Sequence, residues 1–195
     1  MKRVRVRACV LCSMVTMVCV AVPGAARAQG YFGGLIGYNY GGDSVCGGIT
    51  GCEEKHRNLG VNLGALGKAG GFEVEWASAS DLLGKTAVAS SHVMTLMGNS
   101  MGGPTWGAFQ PFGLIGIGWM RMHVETNGPV EATYDEHSFG WNGGFGVNIS
   151  VGPVFLRTDV RHFNSFQDSN FLQSRNPDDK KLDFSRFSAA VLIKF

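Results

Sequence analysis

Between Phe139 and Ile149 the chain changes character at almost every residue: Phe139, Trp141, Phe145, Val147 and Ile149 alternate with Gly140, Asn142, Gly144, Gly146 and Asn148. A period of two belongs to an extended strand, whose successive side chains point to opposite faces. Bulky apolar groups on one face and glycine or asparagine on the other fit a strand with an apolar medium outside and a narrow polar space inside. A soluble helix would need a period near 3.6, and none fits here.

Seven further segments can be marked, six of them with the same alternation and most near the 9 to 11 residues a tilted strand needs to cross a bilayer. Residues 31–40 set Phe32, Ile36, Tyr38 and Tyr40 against Gly33, Leu35, Gly37 and Asn39. Residues 59–67 set Leu59, Val61, Leu63 and Ala65 against Gly60, Asn62 and Gly64, and residues 71–79 set Phe72, Val74 and Trp76 against Glu73 and Glu75. The fourth segment, residues 86–97, has no legible outward face. In residues 109–124, Ile115, Ile117 and Trp119 oppose Gly116 and Gly118. Residues 153–163 oppose Val154, Leu156, Thr158 and Val160 to Arg157, Asp159 and Arg161; residues 183–195 oppose Phe187, Ala189, Val191, Ile193 and Phe195 to Arg186, Ser188, Ala190 and Lys194.

The connections fall into two sets, as an up-and-down barrel requires. Residues 68–70, 98–105 and 150–152 are the shorter set; residues 41–58, 80–85, 125–136 and 164–182 are the other, mostly long and polar. Aromatic residues gather at both strand ends, with Tyr38, Tyr40, Trp76, Trp119, Phe139, Trp141 and Phe163 at one and Phe32, Phe72, Trp106 and Phe195 at the other. Two such belts suit the two interfaces of a bilayer. The expected fold is therefore all-β, an eight-stranded antiparallel up-and-down transmembrane β-barrel occupying residues 29–195.

Residues 1–28 read as a cleavable signal peptide: Lys2, Arg3, Arg5 and Arg7, an apolar stretch from Ala8 to Val22, then Ala26-Arg27-Ala28 before Gln29. A retained anchor is the alternative, but the apolar stretch falls short of the roughly 20 residues of a spanning helix. The signal holds five of the 17 basic residues and none of the 15 acidic ones, leaving a mature net charge of about −3. No clustered basic face suggests nucleic acid. Cys46 and Cys52 remain in an exported chain, where a disulfide between them is expected.

The opening Tyr31-Phe32-Gly33-Gly34, the run Pro111-Phe112-Gly113-Leu114-Ile115-Gly116-Ile117-Gly118, the glycine-patterned sixth strand, Arg157-Thr158-Asp159-Val160-Arg161-His162-Phe163 and the terminal Phe195 resemble the transmembrane domain of outer-membrane protein A and its small barrel relatives. The resemblance covers residues 29–195 and implies a bacterial outer-membrane location and contact with outer-membrane lipid. It also implies an assembly signal in the last strand, carried here by Phe187, Val191, Ile193 and Phe195 and read by the barrel-assembly machinery. The peptidoglycan-binding domain of larger relatives has no counterpart, so no cell-wall anchoring is implied.

Eight strands leave an interior just wide enough for side chains to fill. The inward charges Glu73, Glu75, Arg157, Asp159, Arg161 and Arg186 are thus expected to pair and plug the lumen, since a lone charge there is expensive. A narrow porin-like channel is the alternative. A lipid-modifying enzyme would have to draw on His137-Ser138 or on His162 with Ser165, yet adjacent strand residues face opposite ways. Neither Glu53, Glu54 and His56 nor Asp135, Glu136 and His137 are expected to hold a metal rather than to be solvated acidic loops. The spacing of Gly113, Gly116 and Gly118 is not phosphate-binding, because no helix follows it. No cofactor is expected, and the partner of the outer loops cannot be read from the residues.

Overall fold

The computed structural model describes residues 28–40, 56–80, 90–125, 133–168 and 181–195. Eight strands follow in chain order: β1 Gln29–Tyr40, β2 His56–Leu66, β3 Gly70–Ser80, β4 Ser90–Gly102, β5 Phe109–Glu125, β6 Thr133–Val151, β7 Val154–Asp168 and β8 Lys181–Lys194. Each pairs antiparallel with its neighbours, and β1 closes on β8, so the sheet is a barrel with no free edge. Residues 1–27 of the segment assigned to the signal peptide, together with Cys46, Cys52, Glu53 and Glu54, lie outside the described residues.

A row of cross-strand partners climbs as it circles the wall. Starting at Gly30 it passes Ala65, Phe72, Ser100, Ile115, Gly143, His162 and Ser185 and arrives at Tyr40, ten residues further along β1. That stagger tilts the strands, as closure of a barrel demands.

Parity decides which residues meet lipid. Outward positions hold Phe32, Ile36, Leu59, Val61, Leu63, Phe72, Val74, Ile115, Ile117, Phe145, Val191 and Ile193, an exposed apolar surface that no soluble domain of this size would leave uncovered. At one end the strands are joined by tight turns at residues 67–69, 103–108 and 152–153. In the last of these Gly152 has φ of +55°, the left-handed value a two-residue hairpin needs at its first position, and Pro153 follows with its fixed negative φ. At the other end the joins are residues 41–55, 81–89, 126–132 and 169–180.

Several expectations need correction. The fourth strand runs from Ser90 to Gly102, so Gly98 to Gly102 are strand rather than turn, and its outward residues are His92, Met94, Leu96, Gly98 and Ser100. Its inward residues, Val93, Thr95, Met97, Asn99 and Met101, are mostly apolar, which erased the contrast between faces. β2, β6, β7 and β8 also extend further at the open end than the apolar alternation does, taking in His56 to Asn58, Thr133 to Glu136, Asn164 to Asp168 and Lys181 to Leu182. Beyond the bilayer the outward face need not be apolar, so the pattern stops before the hydrogen bonding does. Phe163 is not part of the aromatic belt: it points inward and is fully buried, in parity with Arg157 and Arg161. His56, assigned to a loop, is likewise an inward strand residue.

Candidate functional site

The lumen is filled in three layers. Toward the open end sits an apolar layer of Val93, Met97, Met120, Met122, Phe163, Leu182 and Phe184, with Phe163 and Phe184 stacked at 4.8 Å. Toward the tight turns lies a second apolar layer that includes Tyr31, Leu35, Leu66, Phe112, Phe155 and Leu192. Between them lie the charges.

Within the middle layer the structure brings together all six of the charges that parity assigned to the interior, each with no more than 3% of its surface exposed. Arg157 Nη1 donates to Glu73 Oε2, and Arg186 Nη2 to Glu75 Oε1. Arg161 lies at the centre: its Nη2 is 3.1 Å from Glu73 Oε1, its Nη1 2.9 Å from Glu75 Oε2, and its Nε donates to Asp159 Oδ1 at 2.8 Å. Three guanidiniums thus face three carboxylates, and the cluster is formally neutral. Each carboxylate is bonded further, Glu73 by the Tyr31 hydroxyl at 2.8 Å, Glu75 by Asn62 Nδ2 at 3.3 Å and Asp159 by the Ser188 hydroxyl at 2.9 Å. Desolvated charges persist only when paired and hydrogen-bonded in this way.

The cations also rest on aromatic faces. Arg157 lies over Tyr31 at 5.1 Å and Phe112 at 5.2 Å, and Arg186 over Phe163 at 4.8 Å, within the range of cation–π attraction. The apolar layers are therefore in direct contact with the ionic one through these rings.

Inward glycines make room for these long side chains. A Cβ at Gly64 would come within 2.6 Å of the Tyr31 hydroxyl oxygen. One at Gly116 would stand 2.1 Å from Asn99 Oδ1 and 2.4 Å from Asn142 Oδ1. This is the spatial reason for the Gly113, Gly116, Gly118 run as far as its inward members are concerned.

Tyr31, Asn148 and Ser188 are members of the network that were not singled out as site residues. Asn148 and Ser188 had been placed inward but without a role, and Tyr31 was seen only as part of a glycine-rich opening; counting two back from Gly33 would have put it in the lumen. Asn148 Oδ1 accepts from Arg157 Nε at 2.7 Å.

The remaining candidates are dispersed. His137 and Ser138 point to opposite faces, as do His162 and Ser165. The Ser165 hydroxyl donates to the Gln167 carbonyl and accepts from the Leu182 N–H, both at 2.9 Å, holding the irregularity in β7–β8 pairing between Asn164 and Asp168. His162 meets Ser185 Oγ at 3.2 Å through Nδ1 and Asp183 Oδ2 at 3.4 Å through Nε2, on the outward face. Asp135, Glu136 and His137 belong to a strand, not a loop; Asp135 and His137 face outward, Glu136 the other way, and Asp135 binds Arg121. Among the described residues no group of three or more His, Cys, Asp or Glu could hold a metal. On β8, Phe187, Val191 and Ile193 form an exposed outward stripe, and Phe195 follows beyond the strand, its ring 6.5 Å from that of Phe32.

A closed barrel with an apolar outer belt, aromatic rims and a lumen packed with side chains defines a small integral β-barrel of the bacterial outer membrane. The chain belongs to the family described as outer membrane protein beta-barrel domain, whose model matches residues 10–195. Among solved structures, Neisserial surface protein A superposes with a TM-score of 0.61 at 15% identity, over 85% of this chain and 97% of that one. The N-terminal barrel of Pseudomonas aeruginosa OprF gives 0.47 at 10% identity, covering 87% and 100%, and Ail, the attachment invasion locus protein of Yersinia pestis, gives 0.48 at 11%, covering 85% and 97%. No curated protein matches the chain.

Proposed function

We propose that the protein is a plugged barrel with a structural or surface-interaction role, whose outer connections contact partners while the wall conducts nothing. The observation that carries this reading is the neutral six-charge cluster sealed between two apolar layers. An ion entering the lumen would have to break pairs whose separate desolvation costs several kcal/mol per charge. Contact with outer-membrane lipid follows from the apolar belt, and delivery by the barrel-assembly machinery from the aromatic ending at Phe195.

A catalytic role is disfavoured on the same physical grounds. Ser165 has both hydrogen-bonding directions committed, and the outward Ser185, His162 and Asp183 stand in a wall whose backbone N–H groups, among the described residues, are engaged in the ladder rather than free to hold an oxyanion. Planar-bilayer recording of the refolded protein tests the reading. No steady conductance is expected; a stable ohmic step from the unmodified protein would replace it with the narrow-pore alternative.

A further inference from the structure

At the end closed by the tight turns the lumen opens into a cavity of about 240 Å³, more than a single water needs. The turns at its rim are tied back to the barrel. Gln110 Nε2 donates to the Gly67 carbonyl at 2.9 Å, and the Thr105 hydroxyl to the Lys68 carbonyl at 2.8 Å. Leu66 and Phe155, both buried, give the cavity an apolar side. Short turns of outer-membrane barrels lie on the periplasmic side, so this mouth faces the periplasm.

What the cavity offers a ligand is donors. Lys194, half-buried on β8, extends over the Phe155 ring at 4.6 Å and donates from Nζ to Ser150 Oγ at 2.6 Å. An ammonium has three N–H groups, so two remain, and a hydroxyl that accepts from lysine keeps its own proton to give. Asn148, 1% exposed and two residues before Ser150 on the inward face of β6, also lines the cavity. Its Oδ1 is held by Arg157 Nε at 2.7 Å, but its Nδ2 reaches no acceptor in the protein. A buried N–H left in that state costs free energy until something accepts from it. Charge points the same way. Lys68 and Lys194 both line the cavity, and among the described residues no Asp or Glu lines it with them. Glu73, deeper in the lumen, is committed to Arg157, Arg161 and Tyr31. The carboxylate of Phe195 belongs to a residue that does not line the cavity and whose ring lies outside, beside Phe32.

We propose that this cavity binds a small carboxylate from the periplasmic side, its oxygens taking the spare donors of Lys194, Ser150 and Asn148 and its apolar body lying against Leu66 and Phe155. A carboxylate is acceptor-only and has about four lone-pair positions, which two ammonium N–H groups, one hydroxyl and one carboxamide can fill. Its single charge balances the one half-buried cation, Lys194, since Lys68 stands exposed at the rim. A phosphate dianion would bring more negative charge than that cation offsets. The site meets the ionic cluster only through Asn148, whose oxygen holds Arg157, and it stands whether or not the lumen conducts.

The test follows the side-chain amide signal of Asn148 by NMR in the isotope-labelled, refolded barrel, at fixed ionic strength, as acetate, N-acetylglycine or N-acetylglycinamide is added. Both acids should shift that signal saturably, and the neutral amide should not. Tighter binding of N-acetylglycine assigns the carboxylate to the end of a peptide; equal or tighter binding of acetate assigns it to a free acid. Lys194→Met removes a charged donor and should weaken binding about ten- to a hundred-fold, and Ser150→Ala, losing a neutral one, about two- to ten-fold. Lys181→Met, at the other end of β8, should bind as the parent does. Heat-modifiable gel mobility establishes that each variant is folded. No saturable shift with either acid, an equal shift with the neutral amide, preference for inorganic phosphate, or unchanged affinity in a folded Lys194→Met or Ser150→Ala barrel would overturn the proposal.

Discussion

Replacing Glu73 by glutamine keeps the shape of the side chain and removes one of three buried negative charges. Arg157 then loses its one carboxylate and retains Asn148 and the faces of Tyr31 and Phe112, whereas Arg161 still holds Glu75 and Asp159. The cluster goes from neutral to a net charge of +1 at a site where both partners are fully buried. Breaking such a pair costs about 3 to 5 kcal/mol, toward the lower figure here because Arg157 keeps a hydrogen bond and two aromatic faces. Arg157→Met should cost less than that, because Glu73 keeps Arg161 Nη2 at 3.1 Å and the Tyr31 hydroxyl at 2.8 Å. The double variant restores neutrality and fills the space with an apolar chain, so the two losses should fall short of additivity by about 2 to 3 kcal/mol. Urea titration of the barrel in lipid vesicles, followed by tryptophan fluorescence and gel mobility, measures all four corners of the cycle. Additive losses would refute the reasoning and mean that water already separates these charges.

The upper apolar layer should be as sensitive: Phe163→Ala removes a ring packed on Phe184 and Arg186 and should cost about 3 to 5 kcal/mol in the same titration, while Phe139→Ala on the outer wall should cost clearly less. N-terminal sequencing of protein taken from the envelope should begin at Gln29. Thiol counting on the same material should find Cys46 and Cys52 oxidised, with reduction destabilising the first outer connection by about 1 to 3 kcal/mol, small because the closed loop is short. Deleting Phe195 should lower the yield of heat-modifiable, carbonate-resistant protein in cells, and undiminished assembly would count against its role as a signal.

Period-two alternation carried most of the fold because the bilayer imposes an apolar outward face wherever it touches a strand. Seven of the eight strands could be oriented from residues such as Leu59, Val61 and Leu63 alone, and orientation is what placed Glu73, Glu75, Arg157, Asp159, Arg161 and Arg186 in one lumen. β4 resisted because Val93, Met97 and Met101 are inward while Gly98 and Ser100 are outward, the reverse of the usual contrast. Phe163 was misplaced for a related reason: an aromatic ring suits both a lipid interface and a cation in the lumen, and only strict counting from Arg161 separates the two. Asp135, Glu136 and His137 were read as a loop because they stand where the apolar requirement has lapsed, so nothing in their spacing marked a strand. That the acids of the third strand meet the arginines of the seventh and eighth follows from strand order in an eight-stranded barrel; which arginine takes which carboxylate depends on barrel stagger and could not be read.

The ion pairs that cross the lumen join β3 to β7 and β8, partners 84 to 111 residues apart in the chain. No hairpin or half-barrel contains both sides of such a pair. Until β1 meets β8, therefore, the inner surface is an open trough in which Glu73, Glu75, Arg157 and Arg186 keep their own shells of water, and only Arg161 can already hold an acid, Asp159 of its own strand. Closing the seam must expel that water and form the pairs in one event, because a wall joined without them would enclose bare charges. The last strand to be made thus determines when the interior dries, and a chain stalled before β8 would remain an open, wet sheet with an unpaired edge.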